Sequence, residues 1–432
     1  MTAFQTLALL LGLAAAGAYL NYRFLRLPSM VGLMMFALLL SFLTMGGRAL
    51  GLMDYSPIIN LVAHIDFSNI LLHGMLCFLL FAGALNVNFQ DLRRHQGIIL
   101  VLATFGTTVA AFAAGTLVWF LASALGITLP YIYALIFGAL IAPTDAVAVL
   151  GILKTVGVSK ALRVKISCES LLNDGVGVVL FLLLLGVAQH PNETISANEV
   201  MRVLAWQGLG AIVFGFLLGW VGQHLLGHID DYKVEVLMTL ALAVCGYVLA
   251  EQLDVSAPIT MVIGGLVVGN HSQMFGVAHR YRKHVNMFWE LLDEVINAVL
   301  FILMGFEMMV VSISPLMALF GLLATGAILL ARCASVSLPV ALLSPFYKFE
   351  KGTIALLTWG GMRGGISIAM ALSLPAVAEK DLILSLTYVT VVFSVLFQGT
   401  SFHLLASRYG YRHVEMPKDG FTTEPRKPKK AA

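Results

Sequence analysis

Charge is what this sequence has least of. Of its 432 residues only 11% are Asp, Glu, Lys or Arg, while 59% are hydrophobic. Water-soluble domains carry about 25% charged residues, so a soluble globular domain is excluded, and no nucleic-acid partner is expected. Cysteine is scarce as well. Cys77, Cys168, Cys245 and Cys333 all fall in apolar segments, which excludes a secreted disulfide framework, and their spacing fits no metal site. No basic stretch precedes the first apolar run, "MTAFQTLALLLGLAAAGAYLNYRF", so that run reads as a retained span and not as a cleaved signal. Short alternating strands are missing, which excludes a transmembrane barrel. There is no HExxH, no GxSxG and no credible Ser/His or paired-Asp arrangement. An intramembrane enzyme is therefore not expected, and neither is a cofactor.

What the chain does have is long apolar runs, with a mean hydropathy of +0.91. Lipid offers backbone groups no partners, so such runs are read as helices. Windows of about 20 apolar residues predict an all-α polytopic membrane protein with about thirteen spans. These lie at roughly 3–21, 28–46, 66–86, 97–124, 130–152, 166–188, 203–226, 234–251, 256–270, 286–311, 315–345, 353–377 and 382–405. Twenty-one of the 26 Lys and Arg fall in the loops after odd-numbered spans or in the tail. Only Arg48, Arg202 and Lys380 lie in the opposite loops. The asymmetry predicts an N-terminus outside and a C-terminus in the cytoplasm. Residues 1–408 form one transmembrane domain on this reading, and 409–432 a short basic tail that touches anionic lipid at most through charge. Asn192-Glu193-Thr194 matches a glycosylation acceptor, a three-residue pattern common by chance. The short tail favours a prokaryotic host and thus the plasma (inner) membrane.

Two spans look interrupted. The fifth, "YIYALIFGALIAPTDAVAVLGIL", carries Pro143, Thr144 and Asp145 at its middle; the twelfth, "IALLTWGGMRGGISIAMALSLP", brackets Arg363 with Gly360, Gly361, Gly364 and Gly365. Broken backbone at membrane depth is tolerated only beside protein or a hydrated cavity. Seven spans apart, the two run in opposite directions. Paired discontinuous helices of opposite direction are the mark of inverted repeats in secondary transporters, with the binding site where they cross. Spans 1–6 and 8–13 would then be the repeats.

The sixth span carries "SCESLLNDGVGVVLFLLLL" from Ser167. Glu169 and Asn173 are four residues apart, as are Ser170 and Asp174, so they gather into one polar strip. A carboxylate at mid-membrane costs several kcal/mol. Arg363 stays charged and is expected to pair with Glu169, which leaves Asp174 without a basic mate. A buried acid in that position is neutralised by a proton or by a cation, never by both. Hard oxygens on Asp174, Ser170 and the opened backbone near Thr144 suit a small alkali cation. Loading from opposite sides of the membrane makes the pair of ligands an exchange. One acid carries one charge, so the expected swap is one cation for one proton, without net charge movement.

"APTDAVAV", "ESLLNDGVGVVLF" and "TWGGMRGGISIAMALSLP", in this order, resemble the NhaP/NHE branch of monovalent cation:proton antiporters, with similarity from about residue 5 to 406. The resemblance implies an NhaA/NhaP-like fold of thirteen helices, with a core domain, a dimerisation domain and homodimers. It also implies exchange of Na+, or of Li+ or K+, against H+, serving pH and sodium homeostasis. It implies that Asp174 is the ion-binding acid and Asn173 its organising partner. Ser170 and Thr144 become further ligands of the transported ion, Asp145 the acid beside them, and Glu169 with Arg363 a structural ion pair. One position departs: Ala82 stands where many relatives carry an acid in span 3. A potassium-selective exchanger on the same scaffold is the main alternative; a channel would not couple cation to proton.

Other polar residues weigh less. Arg332 lies mid-span and needs a partner, for which Asp145 is a candidate. Glu290, Asp293 and Glu294 open span 10 near the cytoplasmic face and read as an interfacial helix start, a cation funnel being the alternative. Glu307 reads as interfacial, and His64 and His73 as polar packing.

Overall fold

In a computed structural model of the chain the described residues are 3–49, 70–145, 149, 153, 158–190, 197–229, 231–270, 282–307, 314–347 and 349–411. His64, the Asn192–Thr194 pattern and the tail from residue 412 lie outside them, as do the side chains of Arg48, His73 and Glu307. Among the described residues all regular structure is helical, as the backbone requires where water cannot satisfy it.

Near the N-terminus come α1 (Ala3–Leu20), α2 (Ser29–Ala49) and α3 (Leu76–Leu85). Next, α4 (Phe89–Val101) runs on through a π turn into α5 (Thr107–Ala124). The first interrupted segment starts with α6 (Tyr131–Ile141), and α7 (Lys160–Gln189) follows. A peripheral pair, α8 (Ala197–Ala205) and α9 (Ala211–Leu226), leads to α10 (Tyr232–Gln252) and α11 (Ala257–Gly269). Beyond them are α12 (Arg282–Glu307) and α13 (Pro315–Leu343). The second interrupted segment consists of α14 (Thr353–Trp359) and α15 (Gly365–Leu372). The last stretch is α16 (Lys380–Phe393), a π turn and α17 (Gly399–Arg408). Among the described residues, seven continuous helical stretches are long and apolar enough to cross a membrane.

Helix starts differ from the apolar windows in an instructive way. The fourth window begins at 97, yet α4 begins at Phe89, because the Asn88 side chain accepts from the amides of Gln90 and Asp91 and caps it there. Likewise α7 begins at Lys160, where the Ser159 hydroxyl accepts from the Leu162 amide. Counting apolar residues finds the lipid-compatible length. Caps find the end of the helix.

Buried side chains form three clusters, and α7 runs through all of them. Its start (Leu162, Ile166, Cys168) joins residues of α4, α13, α14 and α17. Leu171 enters a cluster with α3, α9, α10, α11 and the first turns of α12. Its second half, from Val178 to Leu184, packs with α5, α6, α12, α13, α15 and α16. Both α6 and α15 lie against α7. The helix with the polar strip is thus the axis of the protein, and both interrupted segments border it.

Candidate ion-binding site

After Ile141 the helix α6 stops, and Ala142 to Asp145 continue as non-helical backbone. Pro143 is the cause: it has no amide to donate and clashes with the preceding turn. Its ring sits on α7 at Gly177, where even a Cβ would overlap it. Opposite, Gly360 to Gly364 separate α14 from α15. The two breaks meet directly. The Asp145 amide donates to the Met362 carbonyl at 2.7 Å, and Arg363 Nη1 donates to the carbonyls of Ala142 at 2.5 Å and Pro143 at 2.8 Å. Arg363 therefore caps the C-terminal end of α6. It supplies positive charge where the helix dipole is negative and carbonyls have lost their partners.

The polar strip of α7 faces this crossing. Asn173 and Thr144 bond reciprocally: the Thr144 amide donates to Asn173 Oδ1 at 3.1 Å, and Asn173 Nδ2 donates to Thr144 Oγ1 at 2.8 Å. The same Nδ2 donates to Glu169 Oε1 at 2.9 Å. Ser170 Oγ donates to the Thr144 carbonyl. Glu169 is held at both oxygens by Arg332 of α13, with Nη1 to Oε1 at 2.9 Å and Nη2 to Oε2 at 2.8 Å. Thr144, Glu169, Ser170, Asn173, Asp174, Arg332 and Arg363 are all buried.

This corrects the ion pair expected from the sequence. Glu169 pairs with Arg332, not with Arg363, and among the described residues no hydrogen bond or ion pair joins Glu169 to Arg363. The physical reason lies in the breaks. They create acceptors that engage Arg363, while α13 brings a second guanidinium, its Nε against Gly361 of the second break, to Glu169 in a bidentate fork. Arg332 is accordingly not the partner of Asp145. The Asp145 side chain instead packs on Gly364, at a point where a Cβ would collide with its carboxylate.

Asp174 differs from its neighbours. It is 8% exposed, and among the described residues no hydrogen bond or ion pair reaches its carboxylate. Asn173, Ser170, Thr144 and Asp145 are thus brought together at the crossing, and Asp174 follows Asn173 directly on α7. Ala82, at the position lacking an acid, is buried in the cluster of α3, α11 and α12.

Two residues of the crossing were not anticipated. Ser394 Oγ accepts from the Arg363 amide at 2.8 Å and donates to Gln398 Oε1 at 2.5 Å, while Gln398 Nε2 donates to the Trp359 carbonyl at 3.1 Å. The pair anchors both sides of the second break. Its signal was available: a Ser and a Gln four residues apart in an otherwise apolar run share a face.

The family model described as "Sodium/hydrogen exchanger, transmembrane" matches residues 9–408. The chain is 43% identical over 400 residues to the Na(+)/H(+) antiporter NhaP of Pseudomonas aeruginosa, covering 90% of this chain and 93% of that one. To the Na(+)/H(+) antiporter NhaH of Halobacillus dabanensis it is 31% identical over 388 residues, covering 85% and 91%. The solved structure of the sodium proton antiporter MjNhaP1 from Methanocaldococcus jannaschii matches with a TM-score of 0.74 at 20% identity, covering 94% of this chain and 98% of that one. That likeness is one of fold. With a family match over nearly the whole length and relatives aligned over most of theirs, the chain belongs to the sodium/hydrogen exchanger family.

Proposed function

We propose that this membrane protein is a secondary active antiporter that exchanges a monovalent alkali cation, sodium before lithium or potassium, for protons. The observation that carries the proposal is Asp174: a buried carboxylate with no partner among the described residues, one turn along α7 from Ser170, whose hydroxyl reaches the Thr144 carbonyl where the helix is broken. An isolated charge in such surroundings is too costly to persist. Its neutraliser arrives and leaves, and the two candidates, H+ and the cation, exclude one another. Asn173 holds the opened backbone at Thr144 in place for either state. The names of the aligned relatives, which are sodium/proton antiporters, point the same way.

The Glu169–Arg332 pair is electrically closed, so in this reading it takes no part in the cycle. With Asp174 as the one exchanging acid, one cation replaces one proton and the exchange is electroneutral. The remaining features follow from the spans: thirteen crossings, inverted repeats around the two breaks, N-terminus outside, C-terminus in the cytoplasm of a plasma membrane. For the homodimer, the faces on offer are the two least buried long helices, Gln5–Leu25 and Met201–Leu226.

The test is transport by purified protein in liposomes, with proton flux driven separately by Na+, Li+ and K+, and with Asp174→Asn beside wild type. Sodium-driven proton movement in wild type and none in the variant is the expected result. Equal flux in both would overturn the assignment of Asp174. Flux with potassium only would favour the potassium exchanger, and an equilibrium position that moves with imposed voltage would overturn electroneutrality.

A further inference from the structure

Trp359 and Arg363 stand four residues apart across the second break. In a continuous α-helix the amide of the later residue would donate to the carbonyl of the earlier one. Here both groups turn to another segment. The Arg363 amide donates to Ser394 Oγ at 2.8 Å, and the Trp359 carbonyl accepts from Gln398 Nε2 at 3.1 Å. Ser394 Oγ donates in turn to Gln398 Oε1 at 2.5 Å, which closes the line. Two side chains thus take the place of one helical hydrogen bond. They stand at the two ends of the π turn Ser394–Gln398 and are 0% and 2% exposed. Hydroxyls on either side of them behave otherwise. Those of Ser385, Thr387 and Thr400 each bond a carbonyl four residues back in their own helical stretch, whereas Ser394 and Gln398 turn theirs to the break.

From there the bridge reaches the candidate ion site through two further hydrogen bonds. Thr144 is attached to the second break on both sides. The Pro143 carbonyl before it accepts from Arg363 Nη1, and the Asp145 amide after it donates to the Met362 carbonyl. Met362 and Arg363 are adjacent, and the Arg363 amide is the group that Ser394 holds. If the second helix closed by joining Arg363 to Trp359, both attachments would shift, and the oxygens of Thr144 with them. A closed helix would also satisfy that amide and that carbonyl without help from a neighbour. A polar pair buried at this point therefore has a use only while the helix is open.

Resting on the exchanger reading above, we propose that Ser394 and Gln398 are positioning residues of the cation site. As a pair they substitute for the missing hydrogen bond of the broken helix, and so keep Thr144 where a cation can use its oxygens. They do not touch the ion. Partners that hold a metal's ligands in place set its affinity by about 10- to 100-fold, so the role belongs to KM more than to kcat.

The experiment compares wild type, Ser394→Ala, Gln398→Met, the double variant and Ser394→Thr by sodium-driven proton flux in liposomes and by melting temperature. Ser394→Ala and the double variant are expected to raise the apparent KM for sodium about ten-fold, with a smaller change in kcat. Ser394→Thr, which keeps the hydroxyl, is expected to retain the wild-type KM. Each polar-to-apolar single variant strands a buried partner, and both should melt below wild type. The double variant leaves only the Arg363 amide and the Trp359 carbonyl, which can then meet, so its loss should be smaller than the two single losses together. An unchanged KM in Ser394→Ala and in the double variant, with or without a fall in melting temperature, would overturn the positioning role. Additive losses of melting temperature would overturn the substitution for a helical bond. If wild type itself moves no protons on addition of sodium, the exchanger reading fails and the positioning role with it, while the melting comparison still reads the bridge.

Discussion

Glu169 and Asp174 sit five residues apart on one helix, 1% and 8% exposed, and they have opposite fates. Glu169 is saturated by the fork of Arg332 and by Asn173. For Asp174, no bond is found among the described residues. Burial alone therefore does not mark the working acid of a membrane helix. The distinguishing property is whether a fixed group already cancels the charge. A closed pair is architecture, and an open carboxylate is a site for something that comes and goes. The lesson extends to the arginines. Arg332 cancels a carboxylate, whereas Arg363 neutralises the end of a broken helix and so holds the crossing open beside Asp174.

The largest effect that sharpens this contrast is on transport. Asp174→Asn should bring cation-driven proton flux down to that of protein-free liposomes while leaving the melting temperature close to wild type, because no bond to a partner is lost. A variant that lost its fold as well would erase the difference between the two acids. The next effect is on stability. Arg332→Ala strands a buried Glu169 and should cost about 3–5 kcal/mol, read as the steepest fall in melting temperature of any single change discussed. Arg332→Ala combined with Glu169→Gln should recover part of it, and absence of recovery would mean the two are not coupled. Arg363→Ala should cost less. It leaves carbonyls at Ala142 and Pro143 without a donor, about 1–3 kcal/mol for a buried polar group left unmet. Equal losses for the two arginines would break the distinction between a paired charge and a capped helix end.

Much of this was legible in one dimension. Membrane class, the two breaks and the polar strip came from composition, from Pro143 and the glycines around Arg363, and from i, i+4 spacing in α7. Which arginine meets Glu169 was not. Both arginines lie mid-span, and the choice depends on which helix brings its arginine within reach of Glu169, a matter of packing among segments more than 160 residues apart. A buried guanidinium is expected to seek a carboxylate, but a proline break itself produces acceptors, and those are what engage Arg363. Asp293 stands close to Glu290 and Glu294 in the sequence and reads with them. Helical periodicity turns it inward and its neighbours out, and Asn297, four residues on and donating to its carboxylate, was the available hint.

A third carboxylate provides the smallest test. Glu350, between α13 and α14, is held among the described residues by two hydroxyls and not by a guanidinium. Ser159 Oγ donates to Oε1 at 2.6 Å and Tyr411 Oη donates to Oε2 at 2.9 Å. Burial, together with the bond to Glu350 and its negative charge, pushes the Tyr411 phenol up to about 12, against about 10 for the free side chain. A folded-state value above the unfolded one means the neutral phenol is what the fold favours. Its contribution is full below pH ~10 and fades as pH rises from there through about 12. Tyr411→Phe removes one hydrogen bond at a partly exposed position and should cost about 0.5–1.5 kcal/mol. The deficit relative to wild type should shrink above pH ~10, where wild type loses the same contribution. No deficit at neutral pH would show that the ring, which the variant keeps, matters and its hydroxyl does not. Glu350 would then depend on Ser159 alone.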